Sequence, residues 1–540
     1  MENTSPNRQT RRAAIGFTGA LLGLGVVSTA AKTRDGGDAS SFNVKNYGAT
    51  GVRKDNATKA FRDAIEACTT AGGGTVVVPA GEYTVGTVQL RDHVTLHLEA
   101  GSTLFTSQNR EDFVKDARAL IFAQGATNIA VTGKGTIDGL ARYDYDDVRD
   151  ADVEIAKEQE IARKAGIEMK RYYRSRDAMN VFLFVLNDCT HVKLEDISII
   201  NSPLWTVRLN DCNRVTVRGL YIYSDLEKGV NADGIDVCSC SNVVISDCII
   251  TTADDAIVLK AIARNGKKAN PVENVTVTNC VLSSSSTALM IGTETEADIR
   301  HVIFSNCVIR NTNKGFGINV QDGAVVSDVI INNLTIDTSR RHWNWWGDSE
   351  MCKFILKKRT ATSPVGQIRD ITIDNISAKV MGTSTVTGHA DQHLENIRMS
   401  NIRLFMEREN AKDKRASDAI RIENVKGLKL RDVSVEWNEK QTESAWQSAL
   451  TMQNVSDFTI DSFSGRQGLL KKDIPAVVLN ACSDGVIKDS SAAEGTTTFI
   501  HVAGSGTKDL VLRNNRLGES KTPITFENDK VKKAVKIGQA

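Results

Sequence analysis

Two short acidic runs hold the side chains best suited to chemistry. Asn231-Ala232-Asp233-Gly234-Ile235-Asp236 is followed by Thr252-Ala253-Asp254-Asp255-Ala256-Ile257, with Asp233 and Asp254 21 residues apart. If the chain completes one turn of a repeating structure over that distance, Asp233 lies against Asp254 and Asp255, within about one residue of register. Three carboxylates on one face repel one another, so one should hold its proton near neutral pH while another stays ionised. That split supplies an acid for a leaving oxygen and a base for water, the pair that glycosidic hydrolysis requires. A lone Asp is better read as a turn residue, as expected for Asp188, Asp196 and Asp211. Asp236 is expected to support or bind rather than react.

The elements that must position these groups are legible as a repeat. The pattern apolar-x-apolar-x-x-apolar runs from Val192/Leu194/Ile197 through Val243/Ile245/Cys248 and Ile371/Ile373/Ile376 to Phe458/Ile460/Phe463, ten copies in all. Each copy reads as a short strand with alternating faces, closed by Asn, Asp or Ser. So short a unit cannot bury its own apolar face, and the copies must stack. β-Branched strands without room for a helix per repeat predict an all-β fold, a right-handed parallel β-helix of ten or more coils. Ala60, Phe61, Ala64, Ile65 and Cys68 have helical spacing and stop at Gly72-Gly73-Gly74, as expected of a helix capping the open end. Insertions are expected near 145–176, helical and highly charged, and near 338–362, which contains Arg340-Arg341-His342-Trp343-Asn344-Trp345-Trp346.

Composition bounds the partners. The 540 residues carry 67 Lys+Arg and 66 Asp+Glu, a net charge of +1, which argues against a nucleic-acid partner. Arg8, Arg11 and Arg12 precede the uncharged stretch Ala13–Ala31, so residues 1–31 are expected to be an export signal of twin-arginine-like type. Residues 32–540 would then form one catalytic β-helix, a monomer, exported to the periplasm or secreted, with no membrane partner once the signal is removed. Cys248, Cys280 and Cys307 share a repeat position with Ile197, Leu220 and Leu334, so cysteine is expected to serve as a buried hydrophobe.

Asn201-Ser202-Pro203-Leu204-Trp205-Thr206-Val207, then Asn231 to Asp236, then Asp254-Asp255 through Lys260, resemble the polygalacturonase family, glycoside hydrolase family 28. Phe42 to Gly51, Gly72 to Gly81 and Gly133 to Gly139 are similar to that family as well, and the likeness covers roughly residues 42–335. It implies single-displacement hydrolysis with inversion: Asp254 as general acid, Asp233 and Asp255 activating water, no metal and no other cofactor. Two features depart from the family. Ser286 stands where a Gly-His-Gly histidine is expected, and Gly317-Ile318-Asn319 replaces an Arg-Ile-Lys that grips the substrate carboxylate. The expected partner is therefore a pectin-like polysaccharide, with rhamnogalacturonan-type, substituted or neutral glycans favoured.

Around the acids, Asn231 belongs with the binding residues. Lys260 either meets an anionic ring or packs at the surface; Trp205 either stacks on a sugar or fills core. Glu294, Gln321 and Asp322 on later coils are expected to replace the missing family contacts, whereas Arg264, Lys267 and Lys268 read as a solvated loop. The Arg340-to-Trp346 run is either a subsite wall or a wedge of loop aromatics. The long insertions suggest exo action. A polysaccharide lyase and a non-catalytic carbohydrate-binding or adhesin β-helix are the rival readings.

Overall fold

The computed structural model of the protein describes residues 40–115, 117–141, 153–167, 179–341, 347–470 and 472–538. The expected signal, parts of the 145–176 insertion and the His342-to-Trp346 run lie outside them. The charged stretch does contain a helix, Val153–Lys164.

The repeat becomes a right-handed parallel β-helix. Its first apolar position stacks residue on residue: Val192 on Val215, Val243, Val275, Val302, Val329, Ile371, Ile397, Leu428 and Phe458. Each of these ten is at most 2 % exposed. A fully buried Val or Ile contributes about 1.5–3 kcal/mol, so the column is a main source of cohesion between coils. Opening it with Ile371→Ala should cost about 2–5 kcal/mol. The turns between strands need left-handed backbone, which Asn and Asp tolerate best. Asp188, Asp196 and Asp211 sit there with φ of 52°, 65° and 52°. Asn274 donates to Asn242 at 3.1 Å and Asn242 to Asn213 at 2.9 Å, so stacked turns also bond through their side chains.

Helix α1 (Thr58–Thr70) buries Ala60, Phe61, Ala64, Ile65 and Cys68 against the first strands. Asn56 accepts the Thr58 N–H at 2.9 Å at its start, and Gly72, at φ 91°, begins the left-handed exit. All ten cysteines are free thiols and buried. Cys189, Cys212 and Cys240 fall on stacked positions, in line with their use as small hydrophobes.

One face brings six successive strands past the acidic runs: β1 (Val207–Asn210), β2 (Ile235–Cys238), β3 (Ile257–Ala261), β4 (Thr287–Thr295), β5 (Lys314–Val320) and β6 (Glu350–Leu356). Strand β6 corrects the sequence reading of 338–362 as one insertion. It pairs with β5 in regular parallel register, so the extra length is divided between the segments on either side of a normal coil strand. The reading of Arg264 as part of a solvated loop is also corrected. Its guanidinium bridges Asp188 at 3.0 Å and Asp211 at 2.8 Å, tying neighbouring turns together.

Candidate active site

Register decides which acids meet. Ile235 of β2 lies on Ile257 of β3, so Asp233 stacks on Asp255 and Ala232 on Asp254. Gly234 makes this approach possible: a Cβ there would stand 2.3 Å from the Ala256 carbonyl. The same column carries Trp205 one coil earlier, then Thr287, Lys314 and Glu350 on the coils that follow. Asp233, Asp254 and Asp255 each place a carboxylate oxygen within 4.8 Å of the other two. Among the described residues they are also the set of acids close enough to ligate a cation.

The three differ in surroundings. Asp233 is 2 % exposed and Asp255 9 %, while Asp254 is the most open. Asp255 accepts the Ser286 hydroxyl at 2.7 Å and the Thr287 N–H at 3.0 Å on one oxygen, leaving the other for a ligand or water. Asp254 accepts the Asp255 N–H at 2.9 Å and the Asn231 amide at 3.5 Å; Asn231 takes the left-handed conformation, φ 59°, that turns its amide toward it. One Asp233 oxygen has no hydrogen-bond partner among the described residues. Burial, then the charge of Asp255, pushes the Asp254 carboxyl up to about 7. Burial and the neighbouring Asp254 and Asp236 push Asp233 up as well, against the pull of Lys260.

Lys260, Glu294, Trp205 and Asp236 form one cluster beside the acids. The Lys260 ammonium pairs with Glu294 at 3.0 Å and stands 4.5 Å from the Trp205 ring centre. Burial alone would lower Lys260, but Glu294 and the aspartates outweigh it and hold the ammonium charged. Trp205 is half-buried and not a core residue; its ring meets Phe182 edge-on at 6.3 Å and lies under the Arg208 guanidinium at 4.8 Å. Asp236 is fully buried between the Arg208 and Val258 positions, and neither of its oxygens has a partner among the described residues.

The far side is arranged differently. Gly317 and Asn319 lie on β5, so the cations expected there are absent. Gln321 is buried and donates to Asn319 at 3.2 Å. Asp322 accepts both Arg359 Nε at 2.6 Å and a terminal Arg359 nitrogen at 2.8 Å, besides the Thr295 N–H. The structure thus engages Gln321 and Asp322 within the fold, next to the bulged end of β4, rather than beside the three aspartates. Sequence reasoning missed Arg208, Lys314 and the Ser286 bond to Asp255. Arg208 alternates with Val207 and Leu209 like any outward strand residue, and Lys314 joins the column only through coils of unequal length.

The family model described as Glycosyl hydrolases family 28 matches residues 68–420. A probable polygalacturonase of Vitis vinifera is 26 % identical over 244 residues, covering 41 % of this chain and 45 % of that protein. The exo-poly-alpha-D-galacturonosidase of Dickeya chrysanthemi is 27 % identical over 301 residues, covering 48 % and 49 %. The chain therefore spans about half the length of these two relatives. The solved family 28 exopolygalacturonase of Yersinia enterocolitica shares the fold, with a TM-score of 0.60 at 19 % identity over 78 % of each chain.

Proposed function

The chain belongs to glycosyl hydrolases family 28, and on that premise we propose that it hydrolyses glycosidic bonds of a pectin-type polysaccharide by single displacement with inversion. The observation that supports this reading is the three-carboxylate cluster, with its most open member held protonated near neutral pH. Asp254 donates its proton to the leaving glycosidic oxygen. Asp233 and Asp255 share one water and take its proton as it attacks the opposite face of the sugar. Inverting enzymes usually separate two carboxyls by about 6.5–9.5 Å. Here two carboxylates hold the same water, and hydrogen bonds of about 2.7 Å on each side of a tetrahedral oxygen span roughly 4.4 Å, inside the 4.8 Å within which the three carboxylates lie.

The relatives' names favour galacturonate polymers and include an exo-acting enzyme; exo action also suits the segments that flank β6. Export through the Arg11-Arg12 signal completes the reading, and N-terminal sequencing of exported protein tests it. Proton NMR of the first products from galacturonate oligosaccharides tests the chemistry. The expected product has inverted anomeric configuration; a retained anomer, or an ultraviolet-absorbing unsaturated sugar, overturns the mechanism. Shortening from one end is expected, and early mid-chain cuts would refute exo action.

A further inference from the structure

Arg208 is a cation beside the acids with which no carboxylate of the described residues forms an ion pair. Lys260, its neighbour, is already paired with Glu294. The Arg208 Nε donates to Asn210 Oδ1 at 3.1 Å, and Asn210 is fixed in turn by Asn187 at 2.7 Å. The guanidinium lies 4.8 Å from the Trp205 ring centre and 5.4 Å from that of Phe182. Among the described residues its terminal nitrogens have no hydrogen-bond partner, and no carboxylate forms an ion pair with it. Asp236, opposite it on β2, offers no exception, because both of its oxygens are unpartnered. Burial pushes Asp236 toward the neutral acid, against the pull of the Lys260 and Arg208 charges.

This is how a carboxylate reader is built. One donor is spent on orientation, two aromatic rings flank the guanidinium without consuming donors, and the remaining N–H groups form a fork that matches a carboxylate. The position fits too. Trp205 shares the column of Asp233, so a sugar ring stacked against that indole brings its substituents to Arg208 and its glycosidic oxygen to the aspartates. The opposite flank, with Gly317 and Asn319, has no such fork.

We infer that Arg208, seated over Trp205, binds the carboxylate of a uronate ring next to the scissile bond, which makes the substrate an acidic, galacturonate-type glycan rather than a neutral one. This deepens the proposed function and rests on it. It also reverses the expectation that the missing cations at 317 and 319 point toward neutral glycans, since Arg208 offers a guanidinium on the other side of the acids.

The test measures binding by titration calorimetry to a D254N background, with and without R208Q. The probes are a trigalacturonate and the same trimer with its carboxyls methyl-esterified. R208Q should weaken the acidic trimer about 10- to 100-fold and leave the ester within about twofold, since a charge-assisted bidentate contact is lost only with the anion. Equal losses for both probes, no loss, or no binding of the acidic trimer to D254N overturns the inference. R208K keeps the charge without the fork and should lose part of the acidic binding alone. If R208Q does not fold, R208K decides, with an unchanged ratio of acid to ester affinity counting against the inference. Cleavage by the unaltered protein is scored separately. Binding that depends on Arg208 without cleavage sinks the hydrolase reading alone, and cleavage with no dependence on Arg208 sinks this inference alone.

Discussion

Two buried clusters of acids lie on neighbouring stretches of the same solenoid, and they are built on opposite rules. In the first, Asp233, Asp254 and Asp255 face one another. In the second, each acid faces a cation. Arg340, 3 % exposed, bridges Glu409 at 2.8 Å and Asp413 at 2.7 Å. Asp348 lies 3.0 Å from Arg415 and 3.5 Å from Lys353. Burial would raise Asp348, but Lys353, Arg340 and Arg415 outweigh it and hold the carboxyl low; in the first cluster burial and like charge push the same way. The second cluster ties residue 340 to the 409–415 segment and works as a staple. The first sets like charges against one another, which with burial holds the Asp254 proton more tightly. The column of Asp233 and Asp255 passes from one kind of site toward the other, since its later members, Lys314 and Glu350, are a cation and an acid.

If the contrast is right, the two clusters fail differently. D254N should lower kcat about 10²- to 10⁴-fold, the range of general acid catalysis, without lowering the melting temperature. An assay of released reducing ends checks this, and residual activity above a tenth of the parent would remove Asp254 from its role. R340M should do the reverse. It takes the buried guanidinium from Glu409, which keeps the Arg415 and Ala416 N–H groups, and from Asp413, which keeps the Arg415 side chain; the cost should lie near the lower end of the about 3–5 kcal/mol for a broken buried pair, seen as a lower denaturation midpoint with kcat retained in the cold. Equal damage to kcat and stability in both variants would erase the distinction.

The pH responses separate the clusters as well. Catalysis by Asp254 requires its proton, so kcat should fall as pH rises through about 7. The folded protein holds this proton above the ordinary aspartate range near 4, so the unfolded chain is the one that releases it first. Stability from Asp254 is complete below about 4 and is lost as pH rises toward 7. Asp348, held low, contributes in the opposite sense, and its share is lost on acidification below the ordinary aspartate range. D254N should accordingly raise stability by about 1–2 kcal/mol at pH 8 and by much less at pH 4. Denaturant titrations at the two pH values check the sign.

These differences also explain what could be read from residues alone. The repeat was legible because its apolar positions alternate with period two and every coil restates them, so the register of Val192 on Val215 follows. The aspartates were legible because two runs fall on adjacent coils, one turn apart. The contacts of Asp322, which meets Arg359, and of Arg340, which meets Glu409, cross coils of unequal length and depend on where each loop returns. Periodicity does not encode that. Asp322 therefore looked available for a ligand although the fold engages it. Arg208 looked like an ordinary outward residue although its surroundings leave its fork open.

The smallest expected effect probes the boundary of the first cluster. Ser286 is 2 % exposed, and its hydroxyl is one of two donors on the same Asp255 oxygen. S286A removes that donor while the Thr287 N–H remains, so the carboxylate is loosened rather than stranded. A hydrogen bond to a charged group is worth about 1.5–3 kcal/mol, and the surviving donor should keep the loss near the lower end, roughly tenfold in kcat. The Ser286 hydroxyl also pulls the Asp254 carboxyl down, as the last of its main influences, so the pH above which kcat falls should stay with Asp254 and move only slightly upward. A profile shifted by a full unit would mean that Ser286 governs the acid instead, and the division of labour among the three aspartates would have to be redrawn.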